Sequence, residues 1–421
     1  MKYIRRQATD MILDALKRMR VVELLGSRQV GKSTLAKAIS EKQGATYVSL
    51  DDSFLLEAAH ADPKTFLRQG AKGLLIIDEV QKAPGLIPEI KLLVDSDNRP
   101  GQFLLTGSAN LLELNMIDES LAGRAEVIDL YGFSQEEIHG TNSDFLANVF
   151  EPLAEFEHRS SLSKDDYLEF IRKGSYPEAV SHDDDDRSKW FRNYLRLITN
   201  RDAKDITELR RLADLPRILR YLASLIGSEL VVSNASRDLG IPNSTLRPYI
   251  ALLNTLYLIH ALDPWSRNLT SPVIKNKKTY LLDSGLASYL TRAKPDHGAL
   301  FEDFIIGEVL KQNANKDLEY SLSFFRDYDQ NEVDLILQNE YEEIVACEIK
   351  FTATPAMSHL KVLRKLEARY PEQFKGGVVF YAGAEFVRFS ERMFFVPADV
   401  LWTLPYPCCQ KSVRAALPPR I

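Results

Sequence analysis

The sequence predicts an α/β chain that starts on a parallel sheet, continues through a helical middle and ends in a smaller α/β unit. Three observations carry this. Short apolar runs alternate with helix-period segments in the first third. Strand signals vanish between about residues 150 and 230, and paired strand patterns return after Ala299.

The elements follow in order. VVELLG (Val21–Gly26) reads as a buried strand, and KSTLAKAISEKQ after it reads as a helix. ATYVSLDD gives a second strand and GLLIIDE (Gly73–Glu79) a third. PGLIPEIKLLVDS is a helix, QFLLTGS (Gln102–Ser108) a fourth strand, and AEVIDLYGF closes the region near Phe133. Strands that alternate with helices build βαβ units and hence a parallel sheet.

The middle begins with HDDDD (His182–Asp186), a loop or helix start. From Arg187 to Arg220 the chain carries ten Lys/Arg (Arg187, Lys189, Arg192, Arg196, Arg201, Lys204, Arg210, Arg211, Arg217, Arg220) against four acids. A solvated helix face or subunit contact explains such a run, and a nucleic-acid or nucleotide-phosphate contact is the sharper reading. Residues 217 to 283 resemble a winged helix-turn-helix: a short helix (Ala235–Leu239), a turn with Gly240 and Pro242, and a second helix capped by Ser244. RNLTSPVIKNKKTYLLD then reads as a wing hairpin whose Arg267, Lys275, Lys277 and Lys278 would suit phosphate contacts, although winged helices also serve as packing modules. From Ala299, the helix LFEDFIIGEVLKQ precedes the strands EVDLILQ and EIVACEIKF, the helix HLKVLRKLEARY and the strand GGVVFYAG. The Pro-rich tail LPYPCCQKSVRAALPPRI is expected to be poorly ordered. The expected division is 1–145, 146–216, 217–290, 291–405 and a tail, 406–421.

Composition narrows the class. With 45% hydrophobic and 27% charged residues, the chain is neither disordered nor fibrous. Its 53 basic and 59 acidic residues give a net charge of −6, which excludes a wholly basic nucleic-acid binder but not a local basic face. Cys347, Cys408 and Cys409 form neither a disulfide framework nor a zinc-ligand spacing, so a reducing compartment is expected. The N-terminus MKYIRRQATDMILDALKRM lacks the apolar core of a signal peptide. The longest strongly apolar uncharged stretch, Tyr249–Leu262, is shorter than the roughly 18–20 residues of a spanning helix. A soluble cytoplasmic protein with no membrane partner is the expectation.

Gly26-Ser27-Arg28-Gln29-Val30-Gly31-Lys32-Ser33 fits G-x-x-x-x-G-K-[ST] and lies between a strand and a helix, where a phosphate cradle belongs. Glycines let backbone N–H groups face the phosphates, and the helix N-terminus, with Thr34 in its first turn, adds partial positive charge. Lys32 is the residue to reach the β- and γ-phosphates, and the Ser33 hydroxyl is a Mg²⁺ ligand. Leu74–Glu79 is an apolar strand ending in two acids: Asp78 for the Mg²⁺ shell and Glu79 to polarise the attacking water. The chain has no Asn-Lys-x-Asp guanine motif, which favours ATP. At the polar end of QFLLTGS (Thr106, Ser108), Ser108 is the chosen γ-phosphate sensor. Arg124, in SLAGRAEV, is a candidate arginine finger reaching a neighbouring subunit's nucleotide.

GSRQVGKSTLA, YVSLDD, LLIIDEVQKAPGL, FLLTGSANL and SLAGRAEVIDLYGFSQEE resemble a large group of bacterial and archaeal AAA+-type ATPases with a C-terminal domain of unknown function. KGSYPEAV, NRDAKDI, TLRPYIALLNTLYLI and KTYLLDSGLASYL continue the likeness. Ser27 stands where proline is common after the first glycine, and KGSYPE where a second glycine is common. The resemblance implies a P-loop NTPase (AAA+-like) sheet, ATP binding and hydrolysis, and a homo-oligomer such as a ring or hexamer. It implies no agreed substrate.

Glu302 on a helix, Asp334 in NEVDLIL and Glu348-Ile349-Lys350 resemble the PD-(D/E)xK nuclease arrangement, implying a small restriction-endonuclease-like domain. Alternation along a strand puts Glu348 and Lys350 on one face. Asp334 and Glu348 are then candidate ligands of a second Mg²⁺, with Glu302 completing the shell and Lys350 stabilising the nucleophile or phosphorane charge. That fold also persists without cleavage. Three functions therefore stand: an ATPase acting on DNA or another client, an ATP-gated nuclease, and a non-hydrolysing ATP-dependent assembly switch.

Overall fold

The computed structural model describes residues 3–70, 73–107, 121–153, 158–199, 212–266 and 276–403. The expected sheet is present. Strands β1 (Val21–Leu25), β2 (Thr46–Ser49), β3 (Leu75–Asp78), β4 (Phe103–Thr106) and β5 (Ala125–Asp129) run parallel in the order β2-β3-β4-β1-β5. Strands β1, β3 and β4 are buried throughout, the pattern of strands covered on both faces. Successive side chains divide between the faces. Val21, Leu25, Leu75, Ile77, Phe103 and Leu105 join one apolar core, and Val22, Leu24, Ile76 and Leu104 the other. Because β4 lies between β1 and β3, the ends of all three strands meet at one edge of the sheet.

The middle is helical: Lys164–Lys173, Pro177–Ser181, Asp184–Leu197, Leu215–Ala223, Val232–Leu239 and Asn243–Thr255. Two expected boundaries move. The short helix starts at Val232 instead of Ala235, and the next starts at Asn243, so Pro242 and not Ser244 is its N-cap. Proline's fixed φ, −56° here, lets the chain turn into the helix two residues early, with no side-chain cap. Gly240 ends the earlier helix at φ 64°, as a left-handed C-cap does.

Strands β6 (Ile259–Pro264) and β7 (Lys278–Leu281) form an antiparallel hairpin whose first strand precedes the expected wing, which began at Arg267; residues 267–275, and hence Arg267 and Lys275, lie outside the described residues. Lys277 pairs with Asp263 at the surface. Lys278 is only 1% exposed, so the expectation that it faces a phosphate backbone is corrected: its side chain points inward. In the basic run, Arg201, Lys204, Arg210 and Arg211 lie outside the described residues. Arg187 is buried against the carbonyls of Ala179 and His182, and Lys189 pairs with Asp186. Arg192, Arg196, Arg217 and Arg220 are exposed.

The last unit packs the helix His297–Asn315 on strands β8 (Ser321–Arg326), β9 (Glu332–Gln338) and β10 (Ile344–Lys350), an antiparallel meander. The helix Lys361–Arg369 leads to β11 (Phe374–Tyr381), parallel to β10; β12 (Val387–Arg388) and β13 (Met393–Pro397) complete this side. Strand β6 pairs with β8 in parallel, so the hairpin of the middle and this meander form one eight-stranded sheet. One apolar core runs from Phe145 to Trp402 across both. Cys347 is buried in it, and Cys408 and Cys409 lie outside the described residues.

A buried carboxylate holds the parts together. Asp283 caps the helix Ser284–Thr291 by accepting from the Leu286 N–H (2.6 Å), and its other oxygen accepts from the Ser175 N–H (2.6 Å) and hydroxyl (2.8 Å). The Ser175 carbonyl in turn accepts from the Phe133 N–H (2.7 Å), just past β5. Gly132 lies so close that a Cβ there would meet the Ser175 hydroxyl at 2.1 Å. Asp283→Ala strands three donors, two of them buried amides. It is expected to cost about 3–5 kcal/mol, read as a lower midpoint in denaturant titration, with Asp283→Asn intermediate.

Candidate functional site

The loop after β1 is shaped by positive φ at Gly26 (150°), Gln29 (63°) and Gly31 (101°). A Cβ at Gly26 would lie 2.2 Å from the Leu130 carbonyl oxygen, so only glycine lets the loop pass β5. Arg6, almost fully buried, fastens the loop from below. Its guanidinium donates to the carbonyls of Val30 (2.9 Å) and Tyr131 (2.6 Å) and pairs with Glu137 (3.0 Å). The Lys32 ammonium curls back to the carbonyls of Gly26 and Ser27, both at 2.8 Å. The loop is wound so that its lysine lies along it.

At the same edge, Asp78 ends β3 with both carboxylate oxygens engaged. The Thr106 hydroxyl donates to one, the Ser33 hydroxyl donates to the same oxygen at 3.1 Å, and Tyr47 donates to the other at 2.7 Å. Burial, and then the Asp78 carboxylate, push the Tyr47 phenol up, so it stays a donor. Glu79 sits at φ 59°, a left-handed position for a side chain, and its carboxylate accepts from Gln81. Lys32, Ser33, Asp78 and Glu79 are thus brought together as expected. Ser108 lies outside the described residues, and Thr106 is the polar β4 residue in contact with Asp78. Arg124 is held by Asp95 of its own chain at 2.5 and 3.0 Å.

Sequence reasoning missed Arg6, Tyr47 and Tyr194. The Tyr194 hydroxyl, hydrogen-bonded to that of Tyr176 (2.7 Å), also reaches the Arg28 carbonyl (3.4 Å), so the helical middle touches the loop. Spacing gives no signal for these residues. Only a buried arginine close to the N-terminus and an aromatic run in the middle could have hinted at them.

A second cluster lies on the eight-stranded sheet. Asp334 of β9 and Glu348 and Lys350 of β10 converge, with the Lys350 ammonium 3.0 Å from Asp334 and 2.6 Å from Glu348. The Ile349 N–H donates to Asp334 (2.9 Å), and Tyr280 donates to Glu302 (2.7 Å). Lys278 reaches in from β7, 2.5 Å from Glu332, 3.6 Å from Glu302 and 3.7 Å from Asp334. Arg326 pairs with Glu229 and Glu332, at 2.7 and 3.4 Å. The four expected residues share one cluster, but besides the expected Lys350 a second ammonium, that of Lys278, stands among the carboxylates. Among the described residues no group of three or more His, Cys, Asp or Glu is disposed to hold a metal ion. The cluster as arranged does not fit the expected second Mg²⁺.

Burial and then the Asp334 charge raise Glu302 to about 7 and Glu348 to about 8. Burial would raise Asp334 too, but Lys350 and Lys278 outweigh it and hold that carboxyl low. Glu302 and Glu348 therefore keep protons in the folded chain that the unfolded chain loses near 4.5. Their contribution to stability is full below that pH and fades as pH rises through about 7 and 8. Urea titrations between pH 5 and 8.5 should show stability falling, with a shallower fall in Glu302→Gln and in Glu348→Gln.

Residues 18–139 match the model of an AAA domain. Residues 164–297 and 297–401 match two domains of unknown function (DUF8612 and DUF4143). Uncharacterized proteins of Mycobacterium bovis and Mycobacterium tuberculosis are each 27% identical to this chain over 95% of it and 85% of their own length. Among solved structures, a Walker-type ATPase of Pyrococcus abyssi shares 15% identity over 68% of this chain and 96% of its own, at a TM-score of 0.42. AMPPCP-bound DnaA from Aquifex aeolicus shares 14% identity over 59% of this chain and 86% of its own, at a TM-score of 0.28. The phosphate-cradle loop, the acid-tipped strand and the match of residues 18–139 to an AAA domain together make the N-terminal region similar to an AAA-type P-loop ATPase domain.

Proposed function

We propose that the chain binds ATP with Mg²⁺, hydrolyses it, and couples its nucleotide state to a DNA- or client-interacting region in the remainder of the chain. The observation that carries this reading is the meeting of Lys32, Ser33, Asp78 and Glu79 at one edge of the sheet. The Ser33 hydroxyl and Asp78 carboxylate, 3.1 Å apart, are hard oxygen donors suited to Mg²⁺. Bound there, Mg²⁺ would neutralise phosphate charge. With nucleotide bound, Lys32 exchanges the loop carbonyls of Gly26 and Ser27 for the β- and γ-phosphates, which are stronger partners for an ammonium. Glu79 accepts the hydrogen bond of the attacking water once it leaves Gln81. Thr106 orients the Asp78 carboxylate and takes the place in this reading that Ser108 held in the sequence. The contact of Tyr194 with the Arg28 carbonyl supports coupling, because a loop that shifts around phosphates moves that partner.

Lys32→Ala should abolish ATP turnover, whereas Glu79→Gln should keep nucleotide binding and lose turnover by about 10²-fold or more. Phosphate release and fluorescent-nucleotide binding measured on the same preparations check both. Wild-type turnover in Lys32→Ala sinks the reading. Arg124 acts as a finger only if assembly frees it from Asp95. The expectation is a homo-oligomer in which Arg124→Ala slows turnover without weakening nucleotide binding. Light scattering with ATP present decides the assembly, and an unchanged rate in a variant that still assembles removes Arg124 from the site. Turnover stimulated by DNA would favour DNA as the client, and its absence a protein.

A further inference from the structure

The acid cluster of the eight-stranded sheet carries its own cation. Glu302, Glu332 and Asp334 come from the C-terminal unit, and the ammonium among them comes from β7. Lys278 is 1% exposed, and the Phe324 ring lies 5.5 Å below its ammonium. A buried ammonium is costly unless carboxylates surround it, and three do so within 3.7 Å. The surroundings fix the position of the side chain. Lys278 is the first residue of β7, where it pairs with Leu262 of β6, and the Tyr280 hydroxyl, two residues on and on the same face, holds Glu302. Glu229, bridged to Lys278 through the backbone, holds Arg326, which in turn contacts Glu332. The ion pairs of the cluster are thus made within this chain: Lys278, Lys350 and Arg326 against Glu229, Glu302, Glu332, Asp334 and Glu348.

We propose that Lys278 is a resident cation that closes this carboxylate cluster to divalent metal ions and bolts the β6–β7 hairpin to the C-terminal unit. The ammonium lies between Glu332 and Asp334, on the side of Asp334 away from Lys350, and so covers the oxygens a metal would need. A divalent ion can enter only when β7 withdraws, so metal binding and attachment of the hairpin exclude one another. This inference stands apart from the ATPase reading and would survive its failure.

The test is Mn²⁺ titrated into the nucleotide-free full-length chain, with free Mn²⁺ followed by electron paramagnetic resonance. Wild type and Lys278→Arg should show no site sensitive to Asp334→Asn. Lys278→Gln should gain one such site, bound at least about tenfold more tightly, as expected when one like charge leaves a partly buried cluster. Its lowered melting temperature should recover with Mn²⁺, while that of the wild type stays put. If Lys278→Gln fails to fold, the wild type still decides. A tight, Asp334-dependent Mn²⁺ site in the unaltered chain, or equal Mn²⁺ affinity in a folded Lys278→Gln, overturns the proposal. No such site in the wild type upholds it.

Discussion

The Asp283 carboxylate is where three stretches of chain must agree. It caps one helix, holds both polar groups of Ser175, and through Ser175 reaches the backbone leaving β5. An N-cap satisfies amides that would otherwise be orphans, so the aspartate needs that helix as much as the helix needs it. Strand β7 runs directly into this residue, and the phosphate loop packs on the strand end just before Gly132. The geometry of the loop is therefore not a local matter. It is referred, through a handful of buried polar contacts, to the body of the molecule.

The same economy appears in Arg6. One guanidinium satisfies carbonyls of the loop and of the segment after β5, while Glu137 balances its charge. Glu137 is itself the N3 residue that closes a capping box begun by Ser134. Buried charge is tolerated here because each group serves as another's counter-ion and hydrogen-bond partner.

The N-terminal sheet and its phosphate-cradle loop were legible because their signals are local. A glycine-bounded loop, an apolar strand ending in acids and the alternation of elements are all written in consecutive residues. Gly26, Lys32, Ser33, Asp78 and Glu79 fell where spacing put them. Arg6, Tyr47, Tyr194 and Asp283 were invisible for the opposite reason. Each acts on a residue more than 30 positions away or on a backbone carbonyl; Asp283 also caps the helix after it, but that local role says nothing of Ser175. Lys278 was misread because KNKK looks like a basic surface turn. Which of its lysines turns inward is decided by acids that arrive later in the chain. The C-terminal quartet was found by strand alternation, but the ammonium shared among its members was not, since it comes from another unit. Ser244 failed as a cap because the proline before it had already set the turn.

The two domain models meet at residue 297, yet the sheet crosses that point. Strand β6 borders β8, and Lys278 is synthesised well before Glu302, Glu332 and Asp334. During translation the lysine waits without its partners, and the hairpin cannot finish burying it until β9 has emerged. A fragment begun at residue 297 would keep the acids, lose the cation and bare the backbone edge of β8. The seam seen in sequence recurrence is thus not one at which the folded body can be parted.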